Sequence, residues 1–198
     1  MSGIMNSTGA VSGIIGTTVG SVDLATATFP SGHVIQSKIL AKGLAASSPH
    51  VSTTSDTFVD TGIAGSFTTV KSSADSWLTF EFHCGMSHVN STSNWGSTTL
   101  TLKTSSTTTW ATGDDMIGSN NVETDYRNRF QPKTDGYQPQ RYKYIYHAGD
   151  SQYPSSLTSY TASQTLYGRL YIAEPAGNTF YLVHTQTYYN LTVQEIMR

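Results

Sequence analysis

The stretch SWLTFEFHCGMSHVN, Ser76 to Asn90, decides what kind of molecule this is. From Trp77 to Cys84, Leu78, Phe80, Phe82 and Cys84 fall on one face and Trp77, Thr79, Glu81 and His83 on the other. A period of two is that of a half-buried β-strand. The same stretch holds the only cysteine, between His83 and His88 with Met86 nearby, so it is also the first place to look for a metal or a nucleophile. Adjacent strand residues point to opposite faces, so His83 and Cys84 do not converge on one ion. A turn at Gly85 returns His88 towards His83, but two ligands fall short of the three or four protein ligands zinc normally takes. His33, His147 or His184 would have to complete the set from a distance. The residues therefore read as a strand entering a turn, with Cys84 a small buried hydrophobe whose thiol is held protonated.

Working outward, the same alternation recurs along most of the chain. HVIQSKIL opens it at His33, and DTFVDTGIAGSFTTVK reads as two short strands around a glycine turn. STTLTLKTS buries Leu100 and Leu102, and QRYKYIYHA sets Tyr142, Tyr144 and Tyr146 against Lys143, Ile145 and His147. TLYGRLYIAEPAGNTFYLVHT reads as a hairpin: Leu166, Leu170 and Ile172 lead into EPAGN, and Phe180 and Leu182 return. Pro175 and Gly177 supply the turn chemistry. NLTVQEIM closes the chain with Leu191 and Val193 on one face. No stretch sustains a 3.6-residue apolar period. Many short strands separated by turn signals predict an all-β, antiparallel β-sandwich, of jelly-roll type, over residues 31–198.

Composition agrees. Charged residues are 12% of the chain, about half the usual share for a soluble domain, while 26 Ser, 30 Thr and 12 Tyr supply side chains that suit a pleated surface. A net charge of −2 gives no general attraction to nucleic acid or acidic lipid. One cysteine excludes an internal disulfide. No apolar run approaches the roughly 20 residues that span a bilayer, so membrane insertion is not expected. The N-terminus lacks a basic segment followed by a continuous apolar one, so a Sec signal peptide is not expected either.

Two regions depart from the strand pattern. Residues 1–30 are nearly uncharged, with Ile4, Ile14, Ile15 and Val19 isolated among small residues. Such a segment cannot build a core of its own and reads as an extended arm that orders against a partner, those four residues being the anchor. Residues 111–141 hold 9 of the 24 charged residues, and their apolar positions follow no period. They read as a long loop insertion that carries function. Tyr126, Arg127, Arg129 and Tyr137 mix aromatic and cationic groups in the way of a receptor- or glycan-contacting surface. Tyr142, Tyr144 and Tyr146 extend that aromatic row, although half of such a row ordinarily belongs to a core.

No catalytic pattern emerges. There is no G-x-S-x-G elbow, GxGxxG, P-loop, HExxH or CxxC. Asp114, Asp115, Asp125 and Asp135 lack EF-hand spacing and read as solvated carboxylates. No catalytic residue, metal or cofactor is expected.

Several phrases taken together resemble a family of bacteriophage virion proteins found in marine and cyanobacterial phages. They are a G-x-V-I-Q start at Gly32–Gln36, F-V-D-T-G-I at Phe58–Ile63, a Ser/Lys-rich turn before a hydrophobic strand at Lys71–Phe82, and T-V-x-E-I at Thr192–Ile196. The resemblance covers roughly residues 32–110 and 164–198. It implies a non-enzymatic jelly-roll module of a tail fibre, head fibre, knob or capsid decoration. Such modules are often homotrimeric and dock on other virion proteins, here through the N-terminal arm. They assemble in the host cytoplasm and are located in the virion, where contact with a host surface glycan is an expected role. Residues 111–163 depart from the family's pattern. Two rivals stand beside this reading: a carbohydrate-binding module of a bacterial surface protein, and a small hydrolase on a jelly roll.

Overall fold

A computed structural model describes residues 28–45, 51–89, 96–105, 116–117, 129–130, 137–148, 157–174, 177–184 and 187–198. Among them there is no helix, and every strand pairing is antiparallel. The protein is an all-β, antiparallel β-sandwich.

The decisive stretch is its central strand, β4 (Ser76–Val89). The same residues of β4, Leu78 to Cys84, pair with both β11 (Thr187–Met197) and β8 (Gln138–Tyr146), which therefore occupy its two edges. β1 (Val34–Ala45) lies outside β11. β10 (Phe180–Val183) pairs with the far end of β4, and β2 (Val51–Thr53) pairs with β10. Since β10 and β11 both run antiparallel to β4, and β2 and β1 flank them in turn, these six strands form four ribbons, two of them interrupted. The second sheet runs β3 (Val59–Thr68), β9 (Thr165–Ala173), β5 (Gly96–Lys103). Two short strands, β6 (Met116–Ile117) and β7 (Arg129–Phe130), pair with β5 beyond that.

The core lies between the sheets. Leu78, Phe80 and Phe82 of β4, with Leu191 and Val193 of β11, face Phe67, Leu100, Leu102, Leu166 and Leu170 of the second sheet, all buried. Each such side chain contributes about 1.5–3 kcal/mol on leaving water. Phe67 meets Phe80 edge to face at 5.9 Å, and the Tyr144 hydroxyl donates across the sandwich to Thr98 Oγ1 at 2.7 Å. Gly65 is obligatory here: a Cβ would overlap the backbone of Leu40, where β1 crosses β3.

Several expectations need correction. The glycine at 62 does not reverse the chain. It has φ +73° and sits in a bulge inside one continuous β3, where Asp60 Oδ1 accepts from the Gly62 N–H and Thr61 Oγ1 from that of Ile63. The expected hairpin across EPAGN does not form. β9 has both edges taken by β3 and β5, so the chain crosses to the other sheet, where β10 pairs with β4 and β2. Residues 111–141 are not wholly loop: β6 and β7 lie within them, and β8 begins at Gln138. The polar run Gln138–Gln140 gave no hydrophobic signal because it pairs at the rim of the sheet. Tyr142, Tyr144 and Tyr146 belong to the core and not to an aromatic surface. The anchor residues Ile4, Ile14, Ile15 and Val19 lie outside the described residues. Phe29, half-buried, stacks on His33 at 5.3 Å.

Candidate functional site

β4 does not end in a turn at Gly85. It continues to Val89 through a bulge between Cys84, opposite Gln140, and Ser87, opposite Gln138. The extra residue shifts the alternation by one. Inward positions are even up to Cys84 and odd from Ser87 to Val89. His83 and His88, five residues apart, therefore both point outward.

At the His88 end, four rings gather. Tyr137, just before β8, packs on His88 at 5.0 Å and on His184 at 4.2 Å. Tyr181, paired with His88 across the sheet, stacks on it at 5.9 Å with planes 18° apart, and contacts His184 edge-on at 5.9 Å. The His184 N–H donates to Met86 O, fixing the end of β10 against the bulge. Tyr137 is 51% exposed, so the cluster opens to solvent. His88 Nδ1 is covered and has no hydrogen-bond partner among the described residues.

Next along the same face is a charged group. Arg141 Nη2 donates to both oxygens of Glu81, at 2.6 and 2.7 Å, and His83 Nε2 lies 3.3 Å from Glu81 Oε2. Burial pulls the Glu81 carboxyl upward. The hydrogen bonds from Arg141 and His83 and the charges of Arg141 and Lys143 outweigh it, holding the group below the usual carboxylate range. Lys143 sits opposite Glu81, and Lys42 reaches the row through Asn190, which pairs with both Lys42 and His83.

The opposite end of β4 is closed. Glu195 is fully buried and accepts four hydrogen bonds: from Gln36 Nε2 (2.6 Å), the backbone N–H groups of Val70 and Lys71 (2.7 Å each) and Ser76 Oγ (2.9 Å). The Tyr160 hydroxyl lies 2.9 Å from Ser76 Oγ, and burial pushes that phenol's ionisation far upward. A carboxylate so enclosed acts as a structural clasp, holding β1, the turn before β4 and β11 together.

Of the residues expected to contact a receptor, the structure places Tyr137 in the ring cluster. Arg129 lies in β7, opposite Ser97 of β5. Its side chain, and all of Tyr126 and Arg127, fall outside the described residues. Sequence reasoning missed Tyr181 and His184: the first was legible as an outward position of FYLVH, the second depends on the bulge. Cys84 is buried, its thiol 3.0 Å from Ser87 Oγ, and burial pushes its ionisation up. No three His, Cys, Asp or Glu side chains converge on a metal site among the described residues, and no helix there is long and apolar enough to cross a membrane. A scan against protein-family models gives no match, and a search of curated proteins finds no similar sequence.

Proposed function

We propose that this protein is a non-enzymatic structural component of a bacteriophage particle: a knob, head fibre, capsid decoration or tail fibre, anchored by its N-terminal arm and assembled as a homotrimer. The observation that supports this most is the Glu195 clasp. Gln36, the Val70–Lys71 turn with Ser76, and Glu195 come from or adjoin three separate phrases of the resemblance, yet they meet in one buried network. Phrases that are individually weak thus describe one structural joint. The strand order supports the jelly-roll form of the sandwich. With interrupted strands counted as one, ribbons numbered along the chain stand 1-8-3-6 in one sheet and 2-7-4-5 in the other, an arrangement of two interleaved Greek keys of the kind that recurs in viral capsid and lectin domains.

The test is complementation of particles that lack the protein. The full chain is expected to be incorporated, and a chain lacking residues 1–28 to fold but stay off the particle. Its assembly at wild-type occupancy would move the anchor to the sandwich, and exclusion of both chains would remove the virion reading. A stable monomer in sedimentation at micromolar concentration, arm intact, would count against the trimer. The ring cluster favours a second reading, a carbohydrate-binding module of a bacterial surface protein. Detection of the protein on uninfected cells would select it.

A further inference from the structure

We infer that the outward face of β4 and β8 is a binding site for an acidic polysaccharide, one carrying both hydroxyl groups and carboxylates. The inference deepens the surface-contact part of the proposed function and rests on it, and it names the ligand class and the residues. Tyr137, Arg141 and Lys143 occupy outward positions along one edge of the sheet, and Tyr137 and Arg141, four residues apart, stand about 13 Å from each other at strand rise. That separation matches an oligosaccharide segment and exceeds a single sugar. Tyr137 offers an exposed aromatic face already braced by His88 and His184, so little side-chain entropy is lost when a ring stacks on it.

The charge is complementary. At the outward positions of β1, β11, β4 and β8 the described charges are Lys42, Arg141 and Lys143 against Glu81, or 3 − 1 = +2 with histidine neutral, whereas the whole chain carries −2. Arg141 is 62% exposed and engages Glu81 through Nη2 alone. Glu81 fixes the guanidinium and leaves the Nη1 and Nε donors without a bonded partner among the described residues, charged N–H groups that can each bond a ligand carboxylate oxygen. In the same region Asn190 Oδ1 has no donor among the described residues. Asn190 is only partly buried, and a turn of its amide presents that oxygen to a sugar hydroxyl. The sugar–phosphate backbone of single-stranded DNA carries no hydroxyl donor along its length, and that polymer, which aromatic and cationic groups also attract, is the comparator that tests the assignment.

The test is titration of the purified full chain with alginate oligosaccharide, a uronic-acid polymer, with neutral dextran and oligo-dT as comparators. The expected result is saturable binding to alginate that weakens as salt rises, with dextran at least tenfold weaker. Arg141→Ala and Tyr137→Ala should each reduce affinity by tenfold or more, and Arg141→Lys, which keeps the charge and loses the planar set of donors held by Glu81, should fall between. A control, Lys103→Ala on the other sheet, should bind as the parent does. Equal binding of dextran and alginate, tighter binding of oligo-dT, indifference to both substitutions in chains that melt as the parent does, or no binding to alginate would each overturn the inference. Because the readout uses the isolated protein, failure here and failure to join particles are separate results.

Discussion

The two ends of β4 are built on opposite terms. At the Ser76 end a fully buried carboxylate has four donors, and its neighbours Tyr160 and Tyr146 pack ring to ring at 5.8 Å. At the His88 end four rings lie at the surface, one half-exposed, with a covered nitrogen that has no hydrogen-bond partner among the described residues. Both ends are rich in polar groups, yet only the first is satisfied internally. A buried polar group without a partner costs about 1–3 kcal/mol, so the network at the Ser76 end is what lets β1, β4 and β11 close. The His88 end instead turns the half-exposed Tyr137 ring to solvent, where a ligand can meet it. Stability and recognition are thus separated along a single strand.

Substitutions should reveal this separation. Glu195→Ala removes the acceptor of four hydrogen bonds, leaving the Val70 and Lys71 N–H groups without that partner, and is expected to lower stability by about 3–5 kcal/mol, the range for removing one partner of a buried charged network. A denaturant midpoint within error of the parent would show that the clasp is dispensable. Alkaline titration should reach that end through Tyr146 and Tyr160, and the middle of β4 through Tyr142 and Tyr144. Burial pushes the Tyr146 phenol up to about 12, and moves Tyr142, Tyr144 and Tyr160 in the same direction. The folded protein therefore holds these protons more tightly than the unfolded chain. The stabilisation is complete below about pH 10 and is lost as pH rises towards 12 for Tyr146, by about 1.4 kcal/mol per pH unit for each such phenol. Thermal melts at pH 8 to 12 check this, and a flat profile would refute it.

Cys84→Ala, mid-strand, should cost about 1–2 kcal/mol as a small core deletion, and the native thiol should resist alkylating reagents until the protein unfolds. Rapid labelling of the folded chain would contradict its burial. Tyr137→Ala should change stability least, within about 0.5 kcal/mol, as surface substitutions do. A larger loss in a melt would mean that the ring cluster holds the fold together and that the contrast between the ends is false.

Which side chains face inward was legible in the chain wherever alternation was uninterrupted. Leu78 to Cys84, Leu100 and Leu102, and Leu191 and Val193 are buried as their spacing predicts. Legibility stopped at the irregularities. The bulge at Gly85–Met86 reverses the faces of β4, and the bulge at Thr61–Ile63 imitates a turn, because a glycine marks both and an Asp60 side-chain hydrogen bond marks the second. Of the residues expected to recognise a partner, Tyr137 joins a cluster, whereas Tyr181 and His184 reach it only because β10 docks on β4.

Sequence by itself determined the class of the molecule. Period-two alternation allows one buried face per strand, and low charge with abundant Ser, Thr and Tyr suits sheets that pack face to face. Tertiary structure alone decided the partners. EPAGN carries the local chemistry of a turn, but whether the chain pairs back or crosses over depends on which sheet edges are already filled, and β3 and β5 fill those of β9. The meeting of Gln36, Ser76 and Glu195 has the same origin. Each is an ordinary polar residue in its own segment. The clasp exists because closing β11 between β1 and β4 buries Glu195 and Ser76 completely and brings Gln36 and the Val70–Lys71 N–H groups within bonding distance of the carboxylate.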